Sequence, residues 1–332
     1  MRLLILGGTA FFGRHLTEQA LARGYDVTLF NRGQTNPGLY DGVTEIHGDR
    51  KEDLSKLNGL EFDSIIDPSG YFPRDVEASA KFLKPNAPHY VFISTCSVYP
   101  DADVDAMDED SPVSPYDDAL EAQTEVTPEV YGPLKAECER RVQNIYGDNA
   151  LILRPGLIVG RYDKTGRFSY WPQRMRRGGM IAAPDALDVP VQFLDAHDLA
   201  AWTLDMCERK TVGTINAIGP AKPLIFSDLL TTLLALAPEG SAVVPMDEVF
   251  LKEQGVSPWV GLPLWIPKED RMRGFMSISP DRMLANGMKI RPLSDTVADI
   301  LGEIDETGTF LTGGSLPQEA EEKLLAAWDA RA

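Results

Sequence analysis

Three features that the sequence lacks narrow the class of protein. The 332 residues contain only three cysteines, Cys96, Cys138 and Cys207. Their spacing matches no metal site and their odd number precludes complete pairing, as expected in a reducing cytoplasm. No apolar run reaches the roughly 20 residues that cross a bilayer. Met1 and Arg2 lead directly into an apolar segment, without the pattern of a signal peptide. We therefore expect a cytoplasmic protein with no membrane partner.

Positive charge is also scarce. Lys and Arg number 32 against 50 Asp and Glu, which gives a formal net charge of −18. Because nucleic acids attract basic surfaces, we do not expect a nucleic-acid partner. We expect a small-molecule substrate. The sequence does not decide whether the protein forms a homodimer. The remaining composition, 43% hydrophobic and 25% charged, is that of a globular protein long enough for one large domain and a smaller one.

The first 33 residues carry the clearest pattern. An apolar run over residues 3–6 predicts a buried strand, a helix is predicted over 14–23, and a second strand over 25–30. A unit of strand, glycine turn, helix and strand places a pyrophosphate on the helix N-terminus, so the segment predicts a dinucleotide site. The residues of the turn expected to hold the dinucleotide are Gly7, Gly8, Thr9, Phe11, Phe12 and Gly13.

The alternation of strands and helices continues along the chain. Further strands are predicted at 43–49, 62–67, 90–94 and 151–153, and helices at 52–57, 73–83 and 131–146. This order predicts an α/β fold, a Rossmann-type doubly wound parallel sheet with a smaller C-terminal α+β substrate lobe. We expect residues 1–156 and about 190–213 to form the dinucleotide-binding domain. Residues from about 157 to 189 and from 214 to 332 are expected to form the lobe, and the acidic residues of 101–110 a solvated loop.

Polar residues are expected at the carboxyl ends of strands, where open parallel sheets bind ligands. Ser69 follows the fourth strand and Asp49 ends the third. For Asp49, contact with adenine and a helix N-cap are equally good interpretations. At the end of the second strand, Asn31 and Arg32 stand where NAD-selective proteins carry an acid. Asparagine does not repel a 2′-phosphate and arginine can hold one, so we expect NADP rather than NAD, with dual specificity as the alternative.

A tyrosine and a lysine, Tyr131 and Lys135, stand four residues apart near a predicted helix start. Helical spacing puts both side chains on one face, where the cation is expected to lower the pKa of the phenol and favour proton transfer. Ser94, Thr95 and Cys96 end a strand and offer polar groups at the same cleft. The pattern predicts acid/base chemistry beside the dinucleotide.

Taken with the glycine turn, these motifs resemble the extended short-chain dehydrogenase/reductase superfamily, and in particular its NAD-dependent epimerase/dehydratase group. The resemblance implies an NAD(P)-dependent oxidoreductase or epimerase that transfers hydride at a secondary alcohol or ketone of a sugar-like or other polar molecule. It implies that Tyr131 is the acid/base, that Thr95 (or Ser94) binds the substrate oxygen, and that Lys135 holds the nicotinamide ribose.

The sequence also departs from the relatives that it resembles. Cys96 and Ser97 replace the Asp-Glu pair of sugar-nucleotide dehydratases, and Val191 replaces an arginine that grips the pyrophosphate in many nucleotide-sugar epimerases. The glycine turn followed by Asn-Arg-Gly resembles chloroplast RNA-binding relatives as well. The alternative function is therefore that of a binding protein that kept the fold.

Arginines and aromatic residues are concentrated between 154 and 177. So many cations in an acidic protein favour an anionic or polyhydroxyl ligand, and a surface hairpin of arginines stacked on aromatic rings is an equally good interpretation. The candidate substrate-binding residues of this segment are Arg154, Arg167, Tyr170, Trp171 and Arg174.

Overall fold

The computed structural model describes residues 1–100, 103–308 and 315–331. The strands are β1 Arg2–Leu6, β2 Asp26–Asn31, β3 Thr44–His47, β4 Ser64–Asp67, β5 Tyr90–Ile93, β6 Ala150–Pro155, β7 Ile158–Val159, β8 Met180–Pro184, β9 Pro190–Val191, β10 Leu194–Asp195, β11 Gly213–Ala217, β12 Leu224–Ile225 and β13 Ala242–Met246. The helices are α1 Phe11–Ala22, α2 Pro73–Leu83, α3 Pro128–Tyr146, α4 Tyr170–Arg177, α5 Ala196–Arg209, α6 Phe226–Leu234, α7 Glu248–Glu253, α8 Asp281–Ala285, α9 Leu293–Thr307 and α10 Gln318–Asp329. Short 3-10 turns cover Leu54–Leu57, Cys96–Val98, Asp118–Ala122, Gly147–Asn149 and Arg273–Met276.

The main sheet has seven parallel strands in the order β11-β6-β5-β4-β1-β2-β3. This is the expected Rossmann-type doubly wound sheet. The strand order reverses between β1 and β4, so a crevice opens at their carboxyl ends. One expected boundary needs correction, because β11 pairs with β6 and the sheet therefore extends to Ala217 rather than ending near residue 213.

Alternation along β1 shows how the short apolar run builds both faces of the sheet. Leu3 and Ile5 pack with α1 and α5 on one face, whereas Leu4 and Leu6 pack with α2 and α3 on the other. All four side chains are at most 2% exposed. Both faces of a parallel sheet are covered by helices, so its strands consist of consecutive apolar residues.

The C-terminal lobe has a core of its own, built from β8, β13 and helices α4, α6, α7, α9 and α10. Trp171 is fully buried there and packs edge-on against Phe226, with ring centroids 5.4 Å apart. No helix in the described ranges is long and apolar enough to cross a membrane. The lobe and the sheet flank the cleft in which the candidate site lies.

The acidic stretch is more structured than a solvated loop. The Glu109 carboxylate is 2% exposed, accepts the backbone N–H of Asn216 at 2.7 Å and pairs with Arg282. Asp110 also pairs with Arg282, while Asp101 lies outside the described residues. The loop therefore docks on the end of β11, and the expectation of a solvated loop is wrong for Glu109.

Candidate active site

The glycine turn connects β1 to α1 in a conformation that requires its glycines. Gly7 and Gly8 have φ angles of +128° and +100°, which L-residues rarely adopt. A Cβ on Gly13 would lie 3.0 Å from the backbone nitrogen of Gly8, so glycine lets the helix pack directly on the turn. No side chain caps the N-terminus of α1. Its first N–H groups are thus oriented toward the crevice, as in a phosphate-binding turn.

A groove of about 610 Å³ runs from this turn past the ends of β2, β3 and β4. The expected cofactor residues that line it are Gly7, Gly8, Thr9, Phe11, Phe12, Gly13, Asn31, Arg32, Asp49 and Ser69. Its floor is fixed by backbone contacts, since Ser69 Oγ donates to the carbonyl of Leu6 at 2.6 Å. Asp49 Oδ1 accepts the backbone N–H of Lys51 at 2.9 Å within a turn. The N-cap of the following 3-10 turn is Asp53, so Asp49 is not a helix N-cap.

A carboxylate from β3, that of Glu45, lies beside the end of β2. The sequence pattern did not indicate this charge. Asn31 Nδ2 donates to Glu45 Oε1 at 3.0 Å, and Asn31 Oδ1 accepts the N–H of Gly33 at 2.7 Å. Partial burial raises the pKa of Glu45, but hydrogen bonds from Asn31 and Gly38 outweigh it and lower that pKa. The expectation that this point is free of negative charge is therefore wrong.

Two arginines near the groove differ in their availability. Arg32 is exposed and makes no ion pair within the described ranges. Arg14 pairs with Glu18 at 2.7 Å and lies 3.7 Å above the ring of Tyr162, so it is already engaged. Arg32 and Lys51 are the exposed cations among the described residues that line the groove.

Lys135 is buried on α3, one helical turn after Tyr131. Its side chain points inward from α3 and is 3% exposed, and Nζ donates to the carbonyls of Gly70 at 2.8 Å and Ile93 at 2.7 Å. Burial lowers the pKa of this ammonium to about 8. The group is still mainly charged at neutral pH, and two of its three donors are used by these carbonyls. The third donor makes no hydrogen bond within the described residues, and the ammonium lies 4.1 Å from the centroid of the Phe92 ring.

Tyr131 and Thr95 meet because α3 passes very close to the end of β5. A Cβ on Gly132 would overlap with the carbonyl oxygen of Ser97, so only glycine permits this approach. Thr95 Oγ1 accepts the N–H of Ser97 at 3.1 Å, which fixes the hydroxyl at the N-terminus of the short turn. The structure thus brings the predicted acid/base and the predicted oxygen-binding hydroxyl together.

The acidity of Tyr131 differs from the expectation. Burial raises the pKa of its phenol to about 12, the neighbouring Tyr71 adds to the rise, and a hydrogen bond with Thr95 opposes it. The ring centroids of Tyr71 and Tyr131 are 6.4 Å apart. The expectation that Lys135 lowers this pKa is therefore wrong, because the loss of water around the phenol dominates. Tyr131 is a protonated acid at neutral pH.

A larger cavity of about 1310 Å³ continues from Tyr131 and Thr95 toward the C-terminal lobe. Phe11 and Tyr71 line both this cavity and the groove, so the two spaces meet at these rings. Cys96 lies at its base as a buried thiol, whose pKa is raised by burial and whose Sγ donates to the carbonyl of Arg154. The side chain of Ser94 is buried away from the cavity, so Thr95 is the better candidate for oxygen binding.

Four of the five candidate residues between 154 and 177 do not line the cavity. Arg154 is 5% exposed and its guanidinium binds Glu139 at 2.7 to 3.2 Å. Arg174 is 6% exposed and binds Glu321. Tyr170 and Trp171 pack in the core of the lobe. The expectation that these four bind substrate is corrected, and Arg167 is the one that lines the cavity.

A buried ion pair beneath the groove was not found by sequence reasoning. The Arg50 guanidinium binds both oxygens of Asp67 at 3.1 and 2.6 Å, and Tyr90 donates to Asp67 at 2.8 Å. Burial raises the pKa of Asp67, but Arg50 outweighs it and keeps that pKa low. The pair lies directly behind Ser69, whose N–H also donates to Asp67. The only sequence feature that pointed to this ion pair is the position of Asp67 at the end of a predicted strand.

Known structures share this fold. The enzyme WbmG of Bordetella bronchiseptica, solved in complex with NAD and UDP, superposes with a TM-score of 0.66 at 16% identity, over 96% of this chain and 99% of that one. The chloroplast stem-loop binding protein of 41 kDa b of Arabidopsis thaliana is 30% identical over 222 residues, 62% of this chain. The chain covers 54%, about half, of that relative's length.

A second relative matches over nearly its whole length. The epimerase family protein SDR39U1 of Bos taurus is 26% identical over 306 residues, which cover 85% of this chain and 97% of that protein. Residues 63–219, which include β4, β5, α3 and β6, match the model of the NAD dependent epimerase/dehydratase family. The segment from β4 to β11 is therefore similar to the NAD dependent epimerase/dehydratase family.

Proposed function

We propose that this protein binds a nicotinamide dinucleotide and transfers hydride at a secondary alcohol or ketone. The observation that carries the proposal is that Tyr131 and Thr95 line the large cavity near its junction with the groove, while Lys135 is buried one helical turn after Tyr131 on α3. The residues fit the dinucleotide, because Gly7 and Gly8 form a cradle beside an uncapped helix N-terminus. The bound dinucleotide would donate or accept the hydride, which no side chain can do.

The side chains divide the remaining work. Lys135, fixed by two carbonyls, would use its third donor to hold a ribose hydroxyl. In the direction of reduction, Tyr131 gives its proton to the carbonyl oxygen while the carbon gains the hydride, and the product is an alcohol. A pKa of about 12 keeps Tyr131 protonated for this step. Thr95 donates a hydrogen bond to the same oxygen and fixes its position.

NADP is the dinucleotide that we favour. Arg32 is exposed beside the groove and can form a bidentate pair with a 2′-phosphate. The ionised Glu45 behind Asn31 works against it, so the selectivity is expected to be moderate. Dissociation constants of NADP and NAD for the wild type and Arg32→Ala test this point. Selective loss of NADP affinity supports it, and an unchanged ratio of the two constants contradicts it.

Hydride transfer itself is tested with a labelled cofactor. Reduced dinucleotide carrying deuterium at C4 is incubated with a panel of ketones, and the alcohols are analysed by mass spectrometry. Deuterium on the carbinol carbon supports the proposal. If the dinucleotide binds and no ketone gains deuterium, the protein is a binding protein, as the stem-loop binding relative of Arabidopsis thaliana suggests. A salt-dependent affinity for a stem-loop RNA would then be expected.

A further inference from the structure

The charges around the large cavity are few and mainly negative. Among the described residues that line it, the ionisable acids and bases are Glu129, Asp270 and Arg167. Asp270 Oδ1 accepts the N–H of Met272 at 2.8 Å, and Glu129 accepts a hydrogen bond from Thr127 at 2.6 Å. The described lining therefore holds one guanidinium and two carboxylates. A pyrophosphate, with its two negative charges, would find a net repulsive surface here.

The nearby arginines of α4 and its flanking loop are already paired with carboxylates of the last two helices. Arg174 and Arg177 both bind Glu321, at 2.6 and 2.7 Å. Arg176 binds Asp305 at 2.7 Å, and Arg161 pairs with Glu306. These arginines join α4 and its flanking loop to α9 and α10, and their charge is used for that purpose.

The walls of the cavity are instead apolar and aromatic. They include Leu157, Phe193, Trp259, Ile266, Met272 and Phe275. Water is displaced from such a surface most favourably when an apolar ligand binds. The cavity volume of about 1310 Å³ is enough for a molecule with one or more rings.

Trp259 is the most unusual residue of these walls. It is half-buried and its φ angle is +63°, a conformation that a bulky L-residue adopts at a cost. A hydrogen bond from its N–H to the carbonyl of Trp265 at 3.0 Å holds it there. The Arg167 guanidinium lies 5.7 Å from the centroid of its ring. Strain that is maintained at a cavity wall is characteristic of residues that contact a ligand.

We infer that the substrate is an apolar, ring-bearing ketone or secondary alcohol without a pyrophosphate, and that its ring stacks on Trp259. The inference rests on the proposed function for the reacting group, and on the cavity alone for the rest of the molecule. Arg167 can meet a single negative charge on the ligand. The reacting oxygen would point toward Tyr131 and Thr95, at the opposite end of the cavity from the lobe.

The test measures binding without turnover. Equilibrium dialysis compares 4-phenylcyclohexanone with UDP-glucose on the full chain. The ketone is expected to bind at least tenfold more tightly than UDP-glucose. Trp259→Ala is expected to weaken ketone binding at least tenfold, whereas Trp259→Phe, which keeps a ring, retains most of it. Tighter binding of UDP-glucose, or equal ketone binding by the wild type and both variants, would overturn the inference.

The same proteins separate the two proposals. The ketone is then supplied with reduced dinucleotide, and its reduction is followed. Binding that depends on Trp259 without reduction supports the substrate class and counts against hydride transfer. Reduction that is unaffected by Trp259→Ala, with thermal unfolding of the variant unchanged, supports hydride transfer and overturns the stacking role.

Discussion

Replacing Lys135 by methionine removes a charge that the fold holds away from water. Methionine keeps the length of the side chain, so the variant loses the ammonium and its bonds to Gly70 and Ile93 with little change in volume. The residue is 3% exposed, and burial lowers its pKa from 10.5 to about 8. The difference in stability between the wild type and Lys135→Met is therefore expected to depend on pH.

The sign and the size of this dependence follow from the two pKa values. Below pH 8 the ammonium is charged in both states, and its desolvation costs the folded state. Between about pH 8 and 10.5 the folded protein has released the proton while the unfolded chain still holds it, so stability rises with pH. One pKa unit corresponds to about 1.4 kcal/mol, so the free energy of unfolding of the wild type should gain about 3 kcal/mol over the variant.

Urea unfolding followed by circular dichroism between pH 7 and 10.5 measures this difference. Taking the difference cancels the titration of the buried thiols, which both proteins share. Lys252→Met is the control, since Lys252 is exposed on α7 and its difference from the wild type should stay constant. A pH-independent difference for Lys135→Met would show that Lys135 is solvated, and the account of the cleft would be refuted.

Two other substitutions test the groove and the lobe. Gly13→Ala is expected to weaken dinucleotide binding at least tenfold, because the new Cβ would lie 3.0 Å from the backbone of the glycine turn. Gly302→Ala in α9, where a Cβ meets nothing within 4 Å, is its control and should leave the dissociation constant unchanged. Glu321→Gln should lower the free energy of unfolding by about 3 kcal/mol, because it leaves the 5% exposed side chain of Arg174 without its counterion. Urea unfolding checks this, and a change below about 1 kcal/mol would contradict the structural role of the pair.

Local spacing was enough to predict the sheet, the glycine turn and the position of Tyr131 and Thr95 at the cleft. The turn follows from glycines at positions that require positive φ, and the shared face of Tyr131 and Lys135 follows from helical periodicity. Gly132 lies between them in the sequence, and a glycine at this position could have predicted the close approach of α3 to β5. The order of strands then brings Thr95 to the same point.

The errors concern interactions between distant parts of the chain. Arg174 binds Glu321, a residue 147 positions later, and nothing near Arg174 in the sequence indicates this partner. Glu45 reaches Asn31 across the pairing of β2 with β3. The high pKa of Tyr131 likewise depends on burial, which a four-residue motif does not reveal. Spacing therefore located the site, whereas the charges around it required the fold.

The most direct test of the central claim is the turnover of Tyr131→Phe with the ketone and dinucleotide that the wild type uses. Removing the proton donor should lower kcat about 100- to 10,000-fold and leave the dissociation constant of the dinucleotide unchanged. Tyr71→Phe removes a hydroxyl from the ring 6.4 Å away and should keep most of the activity. Wild-type turnover by Tyr131→Phe would contradict the assignment of Tyr131 as the acid/base.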